Sequence, residues 1–130
     1  MLGDHRYRNP ENVIAWDIIS YYAYLPATFI EHDLSLQFTE YEHKGTYWPE
    51  VLPDNTKVIK TTMGMSFMYL PFFLVAHAVT SFIGLDASGF SSPYALALIL
   101  AGIFYVVVGL LALRKFLLNY FSEGIVSITL

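Results

Sequence analysis

The chain has 130 residues, 55% of them hydrophobic and only 14% charged, a balance too apolar for an ordinary small soluble domain, so the expected class is a membrane protein. A net charge of −4 with no basic run excludes a reader of phosphate backbones, and nucleic acid is not an expected partner. With no cysteine there is neither a disulfide nor a thiolate metal site.

Asp, Glu, Lys and Arg are common up to Lys60, vanish until Asp86, and vanish again until Arg114. The chain therefore divides into a polar part, 1–60, and an apolar part, 61–130. The opening "MLGDHRYRNPEN" has no apolar core for a signal peptide or a first span. If residues 1–60 lie outside the cytoplasm, an upstream segment is expected to have carried them there.

Asn12 can cap a helix running to about Tyr24, and Pro26 then kinks it or opens a short second turn through Ile30. On a helical wheel Asp17 falls in a narrow stripe with Ser20, Tyr21 and Tyr24, and the rest of the circumference is apolar or aromatic. Such a helix belongs at a membrane interface, where a carboxylate beside two tyrosines can act as a general base or a metal ligand. The plainer reading makes Asp17 the polar edge of an amphipathic helix, near an N-terminus that favours negative charge.

Residues 31–45 read as loop, and Glu31, His32 and Asp33 within them read as solvated loop residues, because no further ligand stands at helical spacing. "TYWPEVLPDNTKVIKTT" reads as two short extended pieces around the turn "PDNT". Tyr21, Tyr22, Tyr24, Tyr47 and Trp48 suit an interfacial aromatic belt. Lys60, at the entrance of an apolar helix and followed by Thr61, Thr62 and Gly64, can bind a phosphate with help from helix N-terminal amides, or can simply mark the membrane boundary. Lys57 reads as the exposed neighbour of a turn.

Residues 61–85 carry no charge and are long enough to cross a bilayer, though Gly64, Pro71, His77 and Gly84 interrupt them. His77 reads as a hydrogen-bonded packing residue. In the cleaner segment, about 93–118, Ser92 is the expected N-cap and Pro93 the first helical residue. Tyr94 to Leu113 then covers about 30 Å, one bilayer core. Arg114 and Lys115 place that end in the cytoplasm, and "DASGFSSP" outside it. For 61–85 two topologies stay open: a span with Lys57 and Lys60 cytoplasmic, which the charge rule slightly favours, or an interfacial segment with both ends outside. Residues 122–130 read as the start of a further span.

"WDIISYYAYLPATFIEHDL", "KTTMGMSFMYLPFFLVAHAV" and "FSSPYALALILAGIFYVVVGLLALRKFL" together resemble the N-terminal part of bacterial integral-membrane glycosyltransferases of the GT-C class, the polyprenyl-phosphate-sugar-dependent enzymes related to protein O-mannosyltransferases and lipid A aminoarabinose transferases. The resemblance runs from about Ala15 to the C-terminus. It implies an all-α membrane protein of the bacterial inner membrane, with residues 1–60 an extracytoplasmic loop carrying a juxtamembrane helix over about 12–30.

By the same resemblance, residues 61–85 form a juxtamembrane or re-entrant helix with both ends outside, followed by transmembrane helices. Asp17 matches the acidic residue that serves such enzymes as catalytic base or metal-binding carboxylate, so a divalent metal is an open cofactor. Lys60 matches the lysine that contacts the lipid-linked phosphate, with Gly64 at the motif's glycine and Thr61 and Thr62 in place of its two prolines. Tyr21 and Tyr24 join these as substrate-binding residues.

The expected partners are the bilayer and a polyprenyl-phosphate-linked sugar. Relatives of this class begin with an earlier span and continue through many more, so the chain is expected to be a fragment, inactive alone. The competing expectation is a small non-enzymatic membrane protein that docks on a larger membrane partner. A soluble apolar-core domain comes third.

Overall fold

The computed structural model describes residues 13–40 and 49–130. Asn12 and the belt residues Tyr47 and Trp48 fall outside the described residues, but the first helix begins only at Trp16 with Ala15 at its N-cap, so Asn12 is not its cap.

The first helical stretch is two short helices, α1 (Trp16–Tyr22) and α2 (Tyr24–Phe29), joined through Ala23, which keeps right-handed helical angles. The ladder runs on across the joint, from Ala23 N–H to Ile19 O at 2.8 Å and from Ala27 N–H to Ala23 O at 3.1 Å. The break has a simple cause: Pro26 has no N–H to offer the carbonyl of Tyr22, four residues back. Pro26 thus acts one turn before itself. Trp16 enters α1 with φ 52°, a left-handed conformation that is strained for a bulky residue. The residue is 79% exposed.

Residues 37–40 form a short 3-10 helix. Asp33 organises it: one carboxylate oxygen accepts from the Ser35 N–H at 2.9 Å and from the Ser35 hydroxyl, the other from the N–H groups of Gln37 at 2.8 Å and Phe38 at 3.1 Å. The solvated loop carboxylate expected here is instead spent on the loop's own N–H groups and hydroxyl. The two extended pieces pair as an antiparallel ribbon, β1 (Glu50–Val51) with β2 (Lys57–Val58), in register Glu50 to Val58 and Val51 to Lys57. Asn55 supplies the left-handed turn residue at φ 66° and donates its N–H to Leu52 O at 2.9 Å.

The apolar part forms α3 (Gly64–Ile83) and α4 (Ser92–Leu117), both long and apolar enough to cross a membrane, and then the short α5 (Glu123–Thr129). α3 ends on Gly84 at φ 73°, the left-handed cap for which glycine is suited. At the start of α4 the N-cap is Ser91, one residue earlier than expected. Its hydroxyl donates to Asp86 O at 2.7 Å and does not cap the helix.

α3 and α4 are antiparallel. The Phe72 ring meets Phe104 at 5.6 Å, and the Tyr105 hydroxyl donates to Met68 O at 3.0 Å. Tyr105 stands about 20 Å down α4 from Ser92 at 1.5 Å per residue, so the second turn of α3, at Met68, lies that far from the turn joining the helices. α1 and α2 pack across α3. Tyr22, Phe73 and Tyr94, each 1% exposed, form the centre of the core. Phe73 meets Tyr22 and Phe29 at 5.9 Å and Tyr94 at 5.5 Å.

Candidate functional site

The expected stripe is divided between α1, with Asp17, Ser20 and Tyr21, and α2, which opens on Tyr24; the far end of it, the Tyr21 backbone and the Tyr24 hydroxyl, meets the segment 59–66 that leads into α3. Tyr24 donates its hydroxyl to Thr61 O at 2.9 Å and also faces Ile59 O at 3.3 Å, the two carbonyls on either side of Lys60. Burial pushes the Tyr24 hydroxyl above the usual phenol value, so it is a protonated donor at neutral pH. One turn away, the backbone carbonyl of Tyr21 accepts from the Ser66 hydroxyl in the first turn of α3. Tyr21 and Tyr24 therefore hold the segment that carries Lys60, through the peptide backbone of that segment and of α1 itself.

Lys60 is exposed, and its ammonium pairs with Glu50 on β1 at 2.7 Å. The hydrogen bond to Glu50, followed by the carboxylate's charge, holds the ammonium above the usual lysine value. Salt and water screen a pair in which both side chains are more than half exposed, so it fixes a conformation more than it stabilises the fold. With Glu50 opposite Val58, Lys60 is the diagonal neighbour of Glu50 on one face of the ribbon.

Asp17 is exposed in the first turn of α1, where its charge complements the helix dipole. It shares its side of the helix with Tyr21 one turn on, while the partner of Lys60 is Glu50. Thr61 Oγ1 is buried without a hydrogen-bond partner, next to Lys60 and to the carbonyl that Tyr24 holds. Among the described residues no group of three or more His, Asp or Glu could hold a metal ion. His32 bonds Thr28 O at 3.1 Å through Nδ1 and closes the end of α2. His77 meets the Tyr94 hydroxyl at 2.7 Å and stacks on Phe73, which matches its expected packing role.

Two features carried no sequence signal. The Tyr22 hydroxyl donates to Gly89 O at 2.5 Å, tying α1 to the turn between α3 and α4. Between the two helices of the hairpin an apolar groove of about 460 Å³ is lined by Phe72, Val75, Ala76 and Val79 of α3 and by Leu96 and Leu100 of α4. The groove has no charged lining residue and is separate from the Lys60 segment.

Comparison with protein families, with curated proteins and with solved structures finds no match for this chain.

Proposed function

We propose that the chain is the N-terminal part of a membrane glycosyltransferase of the GT-C class, moving a sugar from a polyprenyl phosphate to an extracytoplasmic acceptor hydroxyl. The observation that supports this best is the Tyr24 hydroxyl held between the carbonyls of Ile59 and Thr61, which joins the stripe of Asp17 to the segment of Lys60. In this reading Asp17 takes the acceptor proton and Lys60 neutralises the departing lipid phosphate, one charge for each side of the reacting carbon. A phosphate would have to displace Glu50 from Lys60, and an exposed ion pair gives way at little cost. A polyprenyl tail leaving Lys60 could follow α3 to the apolar groove, which opens at Pro71 about 10 Å from Gly64.

The site then needs the spans that such enzymes add downstream, so activity is to be assayed in the longest protein that continues this reading frame. Asp17→Asn and Lys60→Ala should each abolish sugar transfer from a polyprenyl-phosphate donor. Full activity in either variant removes the proposed roles.

One observation favours a second reading, a non-enzymatic membrane hairpin that docks on a larger partner. α3 lies antiparallel along α4 for most of its length, the geometry of two successive spans, and this would carry Lys60 toward the same side as Arg114. With no native cysteine, the test is clean. Thr56→Cys and Ser88→Cys are labelled in intact cells with a membrane-impermeant maleimide. Labelling of both matches the glycosyltransferase topology; labelling of only one makes α3 a span.

A further inference from the structure

Apart from tyrosine hydroxyls, His77 is the single ionisable side chain between Lys60 and Asp86, and an ionisable group in so apolar a segment needs a named partner. Its partner is Tyr94, whose hydroxyl has one proton and two acceptors in reach: His77 Nδ1 at 2.7 Å and the carbonyl of Ala87 at 3.3 Å. The Thr80 hydroxyl gives its proton to Ala76 O at 2.6 Å, and its oxygen, beside the Tyr94 hydroxyl, stays open as a further acceptor. Asp86, the charge on the adjoining turn, is committed to the N–H of Ser88 at 3.0 Å and to its hydroxyl at 2.8 Å. From α1 and α2 the neighbours of the stacked Phe73 ring are Tyr22 and Phe29, neither of them charged. Tyr94 is therefore the group that feels the protonation state of His77.

We infer that His77 and Tyr94 form a two-position hydrogen-bond relay that passes the protonation state of His77 to the α3–α4 turn. With His77 neutral and its proton on Nε2, the Tyr94 O–H points to Nδ1, which fits the short distance there and the long one to Ala87. When His77 takes a proton from water, Nδ1 becomes a donor and bonds the Tyr94 oxygen. The Tyr94 proton then turns away from the imidazole; of its two other acceptors, Thr80 Oγ1 lies on α3 and Ala87 O on the turn, and the relay takes the second, so the turn draws in. Only an N–H bond is formed; the phenol keeps its proton and rotates it.

The turn is also where α1 and α2 are anchored. Two residues beyond Ala87, Gly89 accepts the Tyr22 hydroxyl through its carbonyl. A Cβ on Gly89 would lie 3.0 Å from Ile30 Cδ1 and 3.2 Å from Pro26, so its Cα seats directly on α2. A shift at Ala87 thus reaches the helix pair that carries Asp17.

The test is a pH titration of isotope-labelled protein in lipid nanodiscs, following the imidazole nitrogens of His77 and the amides of Ala87 and Gly89 by NMR. The relay requires those amides to shift with the same midpoint as His77. In Tyr94→Phe, which keeps the ring, His77 should still titrate while the amide response is lost. In His77→Gln the amides should be flat with pH, and this second variant decides the matter if Tyr94→Phe does not fold. Amides that ignore the His77 titration, amides that respond equally in Tyr94→Phe, or a neutral His77 with its proton on Nδ1 would each overturn the relay.

Discussion

The two ends of the α3–α4 hairpin are built on different terms. Near the turn, α1, α2 and both long helices converge, and the aromatic core of Tyr22, Phe73 and Tyr94 places each hydroxyl on a partner. At the other end α4 runs on past the start of α3, and from Val106 to Phe116 every residue is exposed. The difference teaches where specific packing is needed. Polar tips buried among rings fix one arrangement, because each lost partner leaves a buried polar atom unsatisfied. An apolar helix with no polar face asks only for a nonaqueous surrounding, which the proposed bilayer supplies.

Substitutions in the packed end should therefore break the contrast most strongly. Phe73→Ala removes the ring that touches α1, α2 and α4, and should cost about 3–5 kcal/mol in reversible unfolding from detergent micelles. Gly89→Ala is the next largest. The added methyl meets Ile30 and Pro26 at φ +88°, and overpacking of this kind costs about 1–3 kcal/mol, measurable as a lower denaturation midpoint. Tyr22→Phe keeps the ring and loses the bond to Gly89 O, a loss of about 1 kcal/mol by the same measurement.

At the bare end the contrast predicts near silence. Val107→Ala should stay within about 0.5 kcal/mol of the parent, as surface changes do, and a large loss there would mean that this face is packed against something. The smallest effect is local and acidic. The Ser35 hydroxyl, with the N–H groups of Phe38, Ser35 and Gln37, holds the Asp33 carboxyl below the usual carboxylate range. A lowered folded value means that the contribution is present above the unfolded value and is lost as pH falls through the folded one. Loop 33–38 should therefore loosen only in strong acid, seen as loss of amide protection at Gln37 and Phe38 while α3 and α4 persist. Loosening near neutral pH would contradict that assignment.

Much of this was legible in the residues alone, wherever a local rule sufficed. The long charge-free runs set the extents of α3 and α4 to within a few residues, since burial in apolar surroundings tolerates no charge. "PDNT" set the ribbon, because Asn tolerates the left-handed angle that the turn needs. The Asp17 stripe followed from helical period, and Pro26 announced the break between α1 and α2, though not its place one turn upstream. The N-cap of α4 was misplaced by one residue because Ser91 and Ser92 are chemically alike.

What the tertiary structure alone decided is how these pieces meet. Tyr22 and Tyr24 are near neighbours with the same side chain, yet one hydroxyl reaches Gly89 and the other the carbonyls around Lys60. Period and composition cannot separate them, because the choice depends on which distant backbone groups are left needing a donor once α1 crosses α3. The pairing of Lys60 with Glu50 likewise awaited the register of the ribbon. Sequence fixes an element through interactions a few residues long. A contact 67 residues apart along the chain, such as that of Tyr22 with Gly89, exists only when the packing of every element between them has brought it about.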